Sequence, residues 1–214
     1  MLIENRMSSP VTTVESDMRI MDALDLMKRN NIRRTPVVDK GKLVGIVSDK
    51  DLLNASASDA TSLSVWELNY LIAKITVRQV MSKQVVTVTP DTPIEEAAHL
   101  MAANKIGGLP VTQGGKVVGL ITETDLFKAF LDLMGAQRKG VRVTAHVPNR
   151  HGELAILTKA IAEAGGDFVS LGGFTGVKDN KFTVTFKVTG LDKAQVVERI
   201  ERHVDEIVDV RVTE

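Results

Sequence analysis

The sequence predicts a mixed α+β / α/β chain of three consecutive units: two copies of one β-α-β-β-α pattern, then a β-α-β-β-α-β unit. Three observations carry this. A shift of 74 residues lays Val11–Leu53 on Val85–Phe127 without a gap, and 18 of the 43 pairs are identical, which marks a duplication. A hairpin signature, two apolar runs around a Gly-bearing turn, occurs once in each copy. From Val141 onward, period-two alternation brackets two helical patterns in an arrangement that the copies lack.

Each copy opens on a β-branched run, Val11–Val14 or Val85–Val88. An amphipathic helix follows, with Ile20, Ala23, Leu24 and Met27 on one face, echoed by Ile94, Ala97, Ala98 and Met101. In the second copy Thr92-Pro-Ile-Glu95 reads as a capping box with Pro93 at the first helical position. The hairpins are Pro36-Val-Val, the turn Asp39-Lys-Gly-Lys42 and Leu43–Val47, matched by Pro110-Val-Thr, Gln113-Gly-Gly-Lys116 and Val117–Ile121. A second helix is expected from Ser48 or Thr122. Residues 54–63 are small and polar and read as a loop. Ser64-Val-Trp-Glu67 reads as another capping box, opening a linker helix whose Leu68, Leu71, Ile72 and Ile75 are expected to pack against the repeats, a partner surface being the other reading.

In the third unit Val141, Val143, Ala145 and Val147 alternate with polar residues as a half-buried strand, and Pro148–Gly152 is a turn. A helix from about Glu153 points Leu154, Leu157 and Ile161 inward and stops at Gly165-Gly166. Phe168–Phe174 is expected as a strand, and Phe182, Val184, Phe186 and Val188 as the next. Leu191, Ala194, Val197, Ile200 and Val204 mark a helix, and Val208, Val210 and Val212 a closing strand. The unit is ferredoxin-like. The expected divisions are 1–60, 61–133, a hinge at 134–140, and 141–214.

Composition narrows the function. The chain has 214 residues, with 27 Lys plus Arg against 27 Asp plus Glu, so no net charge favours nucleic acid or an anionic membrane. There is no cysteine, which removes disulfides, thiolate zinc sites and cysteine nucleophiles. No run of about 18 apolar residues and no signal peptide is present, so a cytoplasmic protein is expected. His99, His146, His151 and His203 fall in different elements without metal-ligand spacing. Neither G-x-G-x-x-G nor G-x-x-x-x-G-K-[ST] occurs, and no nucleophile–base pair stands out. An enzyme is not expected.

Met-Ser, β-run, helix, x-Pro-Val hairpin and Gly-apolar-apolar-Ser/Thr-x-x-Asp follow one another in order, twice, over residues 7–130. This pattern resembles a tandem pair of cystathionine-β-synthase (CBS) domains. The tail, with Val147-Pro-Asn-Arg-His-Gly-Glu-Leu-Ala155 before a helix, resembles an ACT domain over about 141–213. The combination is similar to the acetoin-utilisation regulatory proteins. The resemblance implies two CBS units packed as a pseudo-two-fold pair, leaving two clefts that take AMP, ADP, ATP or S-adenosylmethionine as regulatory ligands, with no prosthetic group.

Ser48-x-x-Asp51 and Thr122-x-x-Asp125 read alone as caps; in this context the hydroxyl and helix amides suit phosphate, and the Asp suits a ribose diol. Arg33-Arg34 before Pro36 is matched by Gly107-Gly108 before Pro110 in the other copy, so one copy offers guanidinium groups where the other offers bare backbone. Solvated surface arginines are the other reading. Thr13 and Thr87 are further cleft candidates. In the ACT-like tail, Asn149, His151, Gly152, Glu153 and Leu154 form the turn that would hold an amino acid. Asn149 stands where the family has Asp, and His151 where a Pro is common, so amino-acid binding is in doubt and a dimerisation module is the alternative. The expected function is therefore a non-enzymatic regulator, a homodimer acting on an unknown protein. The competing reading is a constitutive adaptor with empty clefts.

Overall fold

The lead-in to each repeat sets how the first unit is built. The structure is a computed structural model describing residues 1–57, 72–176 and 181–213, and it divides into Met1–Phe127 and Lys128–Glu214. Shifting by 74 also matches residues 1–8 with 75–82, and each of these segments completes the opposite copy. Residues 75–82 serve copy one: Ile20 N donates to Ile75 O at 3.1 Å, Val77 N to Met18 O at 2.9 Å, and Ile46 and Ser82 exchange two backbone bonds. Residues 1–8 repeat this on copy two through Ile94 N to Met1 O at 3.0 Å, Ile3 N to Thr92 O at 3.0 Å, and the Ser8–Leu120 pair. Ile3 and Val77 are fully buried in the two cores.

Copy one comprises β1 (Val14–Glu15), α1 (Ile20–Arg29), β2 (Arg34–Asp39), β3 (Lys42–Ser48) and α2 (Asp49–Ala57). Copy two begins after α3 (Val77–Val80) and comprises α4 (Ile94–Asn104), β4 (Gly108–Gln113), β5 (Lys116–Thr122) and α5 (Glu123–Leu133). The expected core face is buried in copy one at Ile20, Ala23, Leu24 and Met27, and in copy two at Ile94, Ala97 and Met101, with Ala98 half-buried. The hairpin turns carry positive φ at Lys40 and Gly41 (50° and 79°) and at Gly114 and Gly115 (57° and 78°), as a tight hairpin requires. Both first helices end alike. Asn31 and Lys105 adopt left-handed φ of 51° and 54°, and Ile32 N and Ile106 N each return 3.0 Å bonds to Met27 O and Met101 O.

Several local expectations change. The run Val11–Val14 narrows to the two-residue strand Val14–Glu15, and of Val85–Val88 only Val88 pairs, in parallel with Val111. Partner backbone is available only to the last residues of each run. Pro93, not Thr92, caps α4, because the Thr92 hydroxyl accepts from Thr89 N at 3.1 Å within the preceding turn. Residues 54–57 continue α2 instead of opening a loop. The remainder of that loop and the Ser64–Glu67 capping box lie outside the described residues, with Leu68 and Leu71 of the linker helix. Ile72 and Ile75 do pack against the core of copy one.

The second unit has β6 (Gly140–Val147), α6 (Glu153–Glu163), β7 (Asp167–Thr175), β8 (Phe182–Thr189), α7 (Lys193–Ile200) and β9 (Glu206–Thr213). Its sheet runs β7-β8-β6-β9, all antiparallel, which is the ferredoxin-like order. β6 buries every second residue, as predicted. β8 does not: Thr183, Thr185 and Lys187 are buried on its other face too. Part of the cover is the segment expected as a hinge, since Lys187 Nζ donates to Gly135 O at 2.7 Å and Arg138 O at 2.8 Å. Leu154 is 36% exposed, the inward face of α6 being set by Leu157 and Ile161. Asp192 caps α7 so that Val196 and Ile200 point inward, leaving Ala194 exposed and Val197 only half-buried. A bulge opposite Thr144 and Ala145 passes over Val208, so Ile207 and Val210 pack inward while Val208 and Val212 are exposed. No described helix is long and apolar enough to cross a membrane.

Candidate functional site: two repeat-related clefts

The first unit holds two cavities whose linings are repeat mates. One, of about 440 Å³, is lined by Pro10, Val11, Thr12 and Asn31–Arg34 of copy one, and by Thr122 and Asp125 of copy two. The other, of about 320 Å³, is lined by Val85, Val86 and Lys105–Gly108 of copy two, and by Ser48 and Asp51 of copy one. Each cleft therefore draws its lead strand and pre-hairpin segment from one copy and its Ser/Thr-x-x-Asp from the other.

The left-handed ends of α1 and α4 turn the chain so that residues 31–34 and 105–108 run along the clefts. Asp49 N donates to Arg33 O at 2.9 Å and Glu123 N to Gly107 O at 3.2 Å, tying these segments to the second helices. At each second helix the Asp carboxylate closes a cap, reciprocated in copy one, where Asp51 N donates to Ser48 Oγ at 3.2 Å. Asp51 Oδ2 accepts from Ser48 N at 2.8 Å and Ser48 Oγ at 2.7 Å, and Asp125 Oδ2 from Thr122 N at 2.9 Å and Thr122 Oγ1 at 2.6 Å. One oxygen is thus committed to the fold. The other, Oδ1, takes no hydrogen bond among the described residues and is chemically suited to a diol. The capping residue is thus the one that the sequence puts forward for a ligand.

Charge differs between the clefts. Arg33 and Arg34 stand against Glu123 and Asp125 in the first, whereas Arg34 and Lys105 stand against Asp51 in the second. Of the residues expected from the sequence, Arg33, Arg34, Ser48, Asp51, Gly108, Thr122 and Asp125 line a cleft. Pro36 and Pro110 are buried in β2 and β4 instead, and Pro110 O accepts from Val88 N at 3.2 Å. Thr13 and Thr87 line neither cavity; their predecessors Thr12 and Val86 do, because the runs turn away from the cleft as they pair. Thr12 O accepts from the buried Thr35 Oγ1 at 2.5 Å. Sequence reasoning missed Ser8, Ser82, Asn31 and Lys105. Applying the 74-residue shift to the lead-in Met7-Ser8 and Met81-Ser82 would have found the first two.

In the second unit, Asn149, His151, Gly152, Glu153 and Leu154 share a cavity of about 260 Å³ with Pro148, Arg150 and Phe182. The carboxylate of Glu153 is taken by Arg150 at 2.8 Å. Among the described residues no three His, Cys, Asp or Glu side chains gather to hold a metal ion.

A family model described as CBS domain matches residues 3–58 and 77–132. Protein MJ1225 of Methanocaldococcus jannaschii is 30% identical over 137 residues, 60% of this chain, and the chain spans about half of that relative's length (47%). Three solved structures are similar in fold and sequence. The CBS domain pair of protein MJ0100, in complex with 5-methylthioadenosine and S-adenosyl-L-methionine, is 31% identical with a TM-score of 0.53, covering 64% of this chain and 98% of that one. A Vibrio cholerae protein described as the acetoin utilization protein AcuB is 33% identical, with a TM-score of 0.54 and coverage of 64% and 95%. CBSX2 in complex with AMP is 29% identical, with a TM-score of 0.51 and coverage of 64% and 98%.

Proposed function

The chain belongs to the CBS domain family, and from that premise we propose that it is a non-catalytic regulatory protein whose two clefts bind adenosine ligands. The observation that carries the proposal is the pair of Asp51 and Asp125 carboxylates. Each is fixed by a cap through one oxygen and offers the other at a cleft wall beside helix-terminal amides. A ribose diol and an adjacent phosphate match that set. The complexes of MJ0100 and CBSX2 support the ligand class. The likeness to the Vibrio cholerae protein supports a place in acetoin metabolism.

The ligand acts by favouring one arrangement of the two copies, in proportion to its differential affinity, and the response passes along residues 134–140. The second unit, read as an ACT-like module, assembles the chain or takes a second metabolite at the Asn149–Leu154 turn. The chain acts as a homodimer: Leu53 and its repeat mate Phe127 are 47% and 69% exposed, and Phe130 is 57% exposed. Those exposed residues equally favour the second reading, a constitutive adaptor.

Thermal melts with AMP, ADP, ATP, 5-methylthioadenosine and S-adenosylmethionine separate the two. A ligand at about 100 times its Kd adds about 2.7 kcal/mol of stability and raises Tm by several degrees. The Asp51→Ala, Asp125→Ala double variant is expected to lose that rise. A flat response to all five at millimolar concentration leaves the adaptor reading standing.

A further inference from the structure

Of the described residues, Arg34 and Gly107 line both clefts. The Arg34 side chain lies over Gly107 and Gly108. A side chain begun at Gly107 would run into Nη1 and stand 2.7 Å from Nη2; one begun at Gly108 would stand 2.8 Å from Cδ and 3.1 Å from Nη1. Neither glycine has a positive φ, so the backbone there admits any residue. What the missing side chains provide is room for Arg34.

The repeat explains the asymmetry. Gly107 and Gly108 are the mates of Arg33 and Arg34. A symmetric pair would carry one such arginine for each cleft. This chain carries a single one at the shared wall, laid across the space its mate vacates. Glu123 Oε2 lies 2.7 Å from the point where a Gly107 side chain would start, so a carboxylate stands beside the guanidinium.

Resting on the reading of the clefts as nucleotide sites, we infer that Arg34 is a phosphate-recognition group shared by both clefts and able to serve one at a time. A guanidinium presents its bidentate fork to one phosphate. An anionic adenosine ligand that captures Arg34 from either cleft leaves the other without it and places a negative charge at the common wall. Two nucleotide monophosphates then bind with negative coupling, while two uncharged nucleosides bind independently.

The test is calorimetric titration of the full chain with AMP and with adenosine, in Asp125→Ala and Asp51→Ala backgrounds that each leave one cleft intact. Arg34→Ala is expected to weaken AMP about tenfold or more in both backgrounds, and to leave adenosine within about twofold. Retained adenosine binding shows that each variant is folded. Gly107→Ala, which displaces the guanidinium without removing it, is expected to weaken AMP in both backgrounds too. In the parent protein the second AMP binds more weakly than the AMP of either single-cleft variant. Loss in only one background assigns Arg34 to one cleft and overturns the sharing while the nucleotide reading stands. Failure of the parent to bind either AMP or adenosine overturns that reading, and the sharing with it.

Discussion

Two residues show how backbone conformation and a local ion pair set stability. Lys105 sits at the left-handed end of α4, a conformation that costs a side-chain-bearing residue about 1 kcal/mol relative to glycine. Lys105→Gly is expected to stabilise the protein by about 0.5–1 kcal/mol in denaturant melts, even though the residue lines the second cleft. Asp39 is held below the ordinary carboxylate range, first by the Ser16 hydroxyl, with burial opposing, and further by Ser16 N and the Arg78 guanidinium. A depressed native value means stability present above the unfolded value and lost as pH falls through the native one. Asp39→Asn is therefore expected to lower stability at pH 7, and the difference from the parent is expected to shrink below about pH 4 and vanish in stronger acid. A difference that persists unchanged to about pH 2 assigns the effect to packing. The repeat mates of Ser16, Asp39 and Arg78 are Pro90, Gln113 and Glu4, so copy two has no such ion pair.

At the scale of elements, the lead-in segments contribute to cores they do not adjoin in sequence. Ile3, in a single turn at Ile3–Asn5, is fully buried with Val88, Leu109 and Ile121 of copy two. Ile3→Ala is expected to cost about 2–5 kcal/mol, measured by urea unfolding, and Val77→Ala to cost less because it removes one methylene fewer. A cost below about 0.5 kcal/mol for Ile3→Ala would show that the segment is not part of that core. The elements themselves were legible in the sequence, because helix faces such as Ile20-Ala23-Leu24-Met27 and the Gly-bearing hairpins are local signals. What was hidden required a partner. The shortening of Val11–Val14 depends on which backbone is free to pair, the burial of Lys187 on carbonyls at 135 and 138, and the exposure of Val208 on a bulge in β9. The clefts were half legible. Ser48, Asp51, Thr122 and Asp125 are visible as motifs, whereas the exchange of linings between copies, and the passage of Arg34 across Gly107-Gly108, arise only when the copies face each other.

For the whole molecule, a formal net charge of zero conceals two clefts of different charge and a single guanidinium between them. Duplication supplied two frames of the same shape, and substitution at 33 and 34 against 107 and 108 made them inequivalent. Binding energy in such a pair is available to shift the arrangement of the copies, which is what a regulatory protein requires and an inert scaffold does not. The proposed function turns on adenosine binding in the clefts through Asp51 and Asp125. Isothermal titration of the full chain with AMP tests it most directly, beside the folded Asp51→Ala, Asp125→Ala double variant. Saturable binding to the parent is expected, with a loss of about tenfold or more in the double variant. Absence of binding to the parent at millimolar AMP, or equal affinity in the double variant, would contradict it.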